Sequence, residues 1–123
     1  MKKIFKFLTV ILILTQSSFA QKYDVKLISK NTEVNFFETK MRGIEHNKII
    51  YFAESDLQTI SAYRNNKLIW QTNVISVCGK PSVGKSEIRY IKYASNKLFV
   101  VFGKHSFAEI DISDGKTEFM GSD

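Results

Sequence analysis

Lys97-Leu-Phe-Val-Val-Phe102, Ser106-Phe-Ala-Glu-Ile-Asp-Ile112 and Lys116-Thr-Glu-Phe-Met120 follow one another with only Gly103-Lys-His105 and Ser113-Asp-Gly115 between them. In the middle run Ala108, Ile110 and Ile112 alternate with Glu109 and Asp111. A period of two sends apolar side chains to one face of a strand and polar ones to the other. β-Branched and aromatic residues fill all three runs, as pleated strands prefer. Asp114-Gly115 is a pair that tolerates the positive φ of a tight hairpin. The stretch therefore reads as three short antiparallel strands joined by turns.

The pattern extends upstream. Tyr23, Val25 and Leu27 alternate with Lys22, Asp24 and Lys26, which predicts a half-buried strand. Further strands are expected at Thr32–Glu38, Lys48–Ala53, Leu57–Tyr63, Lys67–Val77 and Glu87–Tyr93. Turn signals separate them at Glu54-Ser55-Asp56, Asn65-Asn66 and Ala94-Ser95-Asn96. A sustained 3.6-residue period is absent. The sequence thus predicts an all-β fold, an antiparallel meander of about eight to nine short strands packed as a small sandwich or barrel.

Two stretches, 47–70 and 96–119, resemble each other at an offset of 49 residues. Asn47-Lys48-Ile49-Ile50 matches Asn96-Lys97-Leu98-Phe99, and Arg64-Asn65-Asn66-Lys67 matches Ser113-Asp114-Gly115-Lys116. Trp70 and Phe119 then fall three residues past the matched lysines. The spacing is that of propeller blades. The segment from Phe107 to Phe119 is similar to the strand-turn-strand signature of quinoprotein-type (PQQ-like) β-propeller repeats, and Ala62–Trp70 is a degenerate version of it. The resemblance implies blade-like sheet topology and no cofactor. A full propeller takes at least four blades, and this length suits two.

The first twenty residues have the three-part form of a cleavable signal peptide: Lys2, Lys3 and Lys6, an apolar run from Phe7 to Thr15, and Ser18-Phe19-Ala20 before Gln21. The apolar run is too short to span a bilayer, which takes about 20 residues. An exported, periplasmic or extracellular protein with one β-rich domain at 21–123 is expected. In that stretch 15 Lys and Arg face 12 Asp and Glu. So mild a balance argues against a nucleic-acid binder, whose basic surface must displace many counterions. Cys78 is the sole cysteine, so no intrachain disulfide can form. It reads as a small hydrophobe at the end of an apolar strand, with an intermolecular disulfide as the sharper option.

Gly79-Lys-Pro-Ser-Val-Gly84-Lys85-Ser86 fits the phosphate-binding pattern G-x4-G-K-[ST]. In such a site backbone N–H groups cradle phosphates, the lysine reaches the terminal ones and the serine holds magnesium. The anion site also needs the N-terminus of a following helix. Glu87–Tyr93 has strand composition instead, so nucleotide binding through Gly79, Gly84, Lys85 and Ser86 is set aside as an alternative. The loop reads as a connection between strands.

His46 and His105 lie 59 residues apart and do not suggest a metal site. Acidic residues are scattered, without a pair to nominate for acid–base work. Neither a catalytic residue nor a cofactor is assigned. A basic stretch of Lys80, Lys85, Arg89, Lys92, Lys97 and Lys104 interleaves with Tyr90 and Tyr93. Strand alternation would place Arg89, Ile91 and Tyr93 on one face and Ile88, Tyr90 and Lys92 on the other, as on an edge or partly exposed strand. Lys85, Arg89, Tyr90, Lys92 and Tyr93 are the expected binding face, because Tyr and Arg are common anchors. The expected function is a non-enzymatic binding domain, monomeric or weakly oligomeric, for an envelope protein or anionic polymer. Its rival is a structural fragment that completes a larger sheet through an exposed edge.

Overall fold

Asn65 and Asn66 (φ 50° and 61°) and Ser95 and Asn96 (φ 51° and 61°) both adopt the left-handed pairs of tight hairpin turns, as does Asn47-Lys48 (φ 50° and 63°). Around them the computed structural model describes residues 22–123. The predicted signal segment lies outside the described residues. The strands are β1 (Ile28–Ser29), β2 (Glu33–Asn35), β3 (Gly43–His46), β4 (Ile49–Ala53), β5 (Thr59–Arg64), β6 (Lys67–Asn73), β7 (Ile88–Ala94), β8 (Lys97–Phe102), β9 (Ser106–Asp111) and β10 (Thr117–Ser122). One α-helix among the described residues, α1 (Val74–Cys78), joins β6 to the loop before β7.

The strands form two open five-stranded sheets, ordered β1-β3-β4-β5-β6 and β10-β9-β8-β7-β2. Each contains four consecutive antiparallel strands, β3–β6 in one and β7–β10 in the other. To these, β1 adds parallel to β3 and β2 antiparallel to β7. The all-β expectation holds, and the architecture is a small sandwich with no closed barrel. Tyr51, Ile60 and Ala62 from the first sheet meet Ile91, Leu98, Val100, Phe102 and Ile110 from the second in one core. The inward residues of β8 and β9 are the alternating ones, as the period of two requires. A second cluster, Ile50, Phe52 and Tyr63, lies on the other face of the first sheet under Tyr23, Leu27 and Ile28.

Four local expectations need correcting. Tyr23–Leu27 is not a strand. Val25–Leu27 is a 3-10 turn, because the Asp24 carboxylate accepts the Lys26 N–H at 2.9 Å and competes with strand pairing. The run to Val77 is strand only as far as Asn73. There the Asn73 side chain accepts the Ser76 N–H at 2.9 Å and caps α1, while Gly79 (φ 88°) closes its other end. Two caps outweigh the β-preference of Val74, Ile75 and Val77, and they place Cys78 in a helix. Third, β3 is an unforeseen strand, having Ile44 as its single fully buried apolar side chain between Gly43 and Glu45.

The fourth correction concerns β7. A bulge between Ile88 and Tyr90 breaks the alternation, so Ile88 and Ile91 both point into the core and Arg89 is extruded. Moreover, β7 is paired on both sides, by β8 and β2, and is not an edge. Trp70 and Phe119, matched in the sequence comparison, have different surroundings: 8% of Trp70 is exposed and 47% of Phe119.

Candidate functional site

The chain crosses from one sheet to the other between β2 and β3, and this crossing builds one wall of a cleft. The Asn35 side chain accepts the Phe37 N–H at 3.0 Å and its carbonyl accepts the Glu38 N–H at 3.1 Å. This Asx turn buries Phe36 and turns Phe37 outward, 79% exposed. Further along, Arg42 lays its guanidinium 4.6 Å from the Phe36 ring centre, a cation–π distance. Its Nη1 donates to the carbonyls of Thr39 (2.9 Å) and Met41 (2.7 Å).

The opposite wall comes from the bulge and the β8–β9 turn. Arg89 Nε donates to the Gly103 carbonyl at 3.0 Å, and Nη2 to that of Lys104 at 2.8 Å. The guanidinium also lies 5.9 Å from the Phe37 ring centre. The loop 79–87 is laced to the same turn: Lys104 N–H donates to the Val83 carbonyl (2.9 Å) and Gly103 N–H to that of Glu87 (3.0 Å). A Cβ on Gly103 would lie 2.4 Å from Pro81 Cβ, and one on Gly84 would lie 2.7 Å from the Lys104 nitrogen. Both glycines permit loop and turn to touch.

The floor is Leu57 and Ile88. Leu57 has φ 56°, a region few β-carbon-bearing residues adopt. It is held there because Asp56 accepts the N–H groups of Gln58 and Thr59 and the Thr59 hydroxyl at 2.9–3.0 Å. Burial acts to raise the Asp56 carboxyl, and those donors together outweigh it and hold the group below its usual value. Ile88 N–H donates to the Leu57 carbonyl at 2.6 Å, tying the floor to β7.

The half-open space between these walls is about 630 Å³. Arg42, Lys85, Arg89 and Lys104 line it, with His105 beside them and Glu87 as the one carboxylate. Four cations against one anion is an excess of three, the same as the excess of 15 over 12 across residues 21–123. The rest of residues 21–123 is therefore balanced in number of charges. Positive potential gathers in this concavity, where low-dielectric walls focus it.

Of the expected binding face, Lys85 and Arg89 line the cleft and the rest is dispersed. Tyr90 faces a separate hollow of about 580 Å³ with Glu33 and Glu38. There its hydroxyl donates to Glu33, and burial, followed by that carboxylate, pushes the phenol up to about 12. Lys92 is exposed opposite Phe99. The Tyr93 ring stacks on His46 at 3.9 Å and its hydroxyl donates to Asn96. Phe36, Phe37 and Arg42 were missed, since their distance from Lys85 in the chain leaves no local signal. The G-x4-G-K-S loop contributes Gly84 and Lys85 to the cleft, while Gly79 caps α1. Past Ser86 the chain opens β7, where a phosphate-binding loop opens a helix. Cys78 is half-buried against the core, and burial pushes its thiol up.

Comparison with protein families, curated proteins and solved structures finds no match for this chain. Among the described residues, no helix is long and apolar enough to cross a membrane.

Proposed function

We propose that this protein is an exported, non-enzymatic binding module that takes an anionic partner in the cleft between Phe37 and Lys104. The observation that carries the reading is a cleft whose excess of three cations equals the charge excess of residues 21–123, set over an apolar floor. A pocket of this size, mostly apolar and with a few convergent polar groups, is the usual form of a ligand site. The signal-like N-terminus supports export.

The test uses anilinonaphthalene sulfonate, a fluorescent anion with an apolar body. The purified protein should bind it saturably at one site. Paired Lys85→Ala and Lys104→Ala substitutions should weaken binding by about tenfold, the effect of losing one to two favourable charge contacts. Equal binding by the paired variant, at unchanged thermal stability, would overturn the assignment.

One observation favours a second reading, completion of a larger sheet. Strand β6 is a sheet edge, and its Leu68 and Ile69 are about half exposed. An unpaired apolar edge is a template for strand addition. Sedimentation at high concentration tests it: self-association abolished by Ile69→Lys supports the reading, and a strict monomer rejects it.

A further inference from the structure

We propose that the cleft docks a short acidic segment of a partner protein in which an aromatic or branched apolar residue stands beside the carboxylates. The inference rests on the cationic-cleft reading and names the class of its ligand. Three observations carry it.

Phe37 is the first. A small anion filling the cleft would leave most of this ring in water, because the Asx turn at Asn35 holds it outward at 79% exposure. Covering it takes an apolar surface on the ligand. An exposed, rigidly presented aromatic beside an arginine is the composition of a protein-binding anchor.

The second is how the arginines are used. Arg42 donates to two backbone carbonyls, and so does Arg89. Those bonds fix the plane of each guanidinium and leave three of its five N–H donors for a ligand. The two guanidinium groups supply positive field and flat faces against Phe36 and Phe37. Lys85 and Lys104, both exposed, remain as mobile point charges suited to separate carboxylates.

Third is the balance elsewhere. A long polyanion gains affinity by releasing counterions along a track of cations. Outside the cleft, residues 21–123 carry as many carboxylates as cations, so a polymer leaving it gains no net counter-charge. The ligand that matches is short, acidic and apolar at one point, with charges for Lys85 and Lys104 and a side chain for the Leu57–Ile88 floor.

The experiment is a fluorescence-anisotropy titration of the purified protein with four probes. These are a labelled Asp-Glu-Phe-Asp-Glu peptide, its amide twin Asn-Gln-Phe-Asn-Gln, its apolar-deleted twin Asp-Glu-Ser-Asp-Glu, and labelled heparin. The acidic aromatic peptide should bind saturably, and each twin about tenfold or more weakly. Phe37→Ala should cost the first peptide a similar factor and leave the melting temperature in place. Binding of heparin but of none of the peptides would overturn the protein-segment inference and leave the cationic cleft standing. Failure of all four probes, together with failure of anilinonaphthalene sulfonate, would overturn both. Equal binding of the first peptide and its apolar-deleted twin would also overturn the inference.

Discussion

The indole of Trp70 closes over Gly115 so tightly that a Cβ on the glycine would lie 2.6 Å from Cε3. Trp70 Nε1 also donates to the Ile112 carbonyl at 2.8 Å. Beside this pair the hydroxyls of Thr72 and Thr117 bond at 2.7 Å. Together they pin β6, the edge of one sheet, to the turn that leads into β10, the edge of the other. Gly115 has φ 78°, so the position suits glycine on two independent grounds.

Gly115→Ala should therefore cost about 2 kcal/mol or more, from positive-φ strain and from displacement of the ring. Urea unfolding followed by circular dichroism measures it. In a Trp70→Leu background the same substitution should cost less, because the clash has gone and the strain remains. An equal cost in both backgrounds would show that the ring contact is energetically idle.

High pH should destabilise the protein through two tyrosines. The phenols of Tyr63 and Tyr90 are each pushed up to about 12, first by burial and then by a carboxylate, Glu54 for Tyr63 and Glu33 for Tyr90. A raised value means that the folded chain keeps the phenol neutral where the unfolded chain has ionised it. The stabilisation is complete below the unfolded value near 10 and is lost as pH rises from about 10 to about 12. The urea midpoint should fall across that window, and less steeply for the paired variant Tyr63→Phe with Tyr90→Phe. Identical slopes would contradict the assignment.

Arg89→Lys should destabilise the protein by about 1–2 kcal/mol although it keeps the charge. Lysine cannot span the Gly103 and Lys104 carbonyls as the forked guanidinium does. Hydrogen exchange at the amides of Gly103 and Lys104 should quicken with it. Unchanged exchange would show that Arg89 is no strut.

Gly103→Ala addresses the cleft wall. Its methyl would strike Pro81 at a positive φ of 61°, so the loop 79–87 has to move off the β8–β9 turn. The expected result is at least about tenfold weaker binding of anilinonaphthalene sulfonate with the far-ultraviolet dichroism of the sheets retained. Full binding by this variant would separate the loop from the site.

Turns and strands were legible in the sequence because their causes are local. Asn65-Asn66 and Ser95-Asn96 adopt positive φ through their own chemistry, and Ala108 and Ile110 bury themselves by alternation alone. Lys85 and Arg89, four residues apart, could be nominated together for the same reason. Local rules gave out where two local preferences conflicted: the caps Asn73 and Gly79 made a helix of β-prone residues, and the bulge at Arg89 moved Ile88 onto the core face of Ile91.

The sequence by itself determined the fold class, the hairpins and the small charge excess, each of which depends on composition or on neighbours within a few residues. Tertiary structure alone decided that the strands close as two facing sheets, and that the crossing from β2 to β3 carries Phe36, Phe37 and Arg42 to Lys85 and Lys104. The physical reason is distance along the chain. A cleft made by long-range packing leaves no period and no motif, since what joins its residues is the burial of other ones.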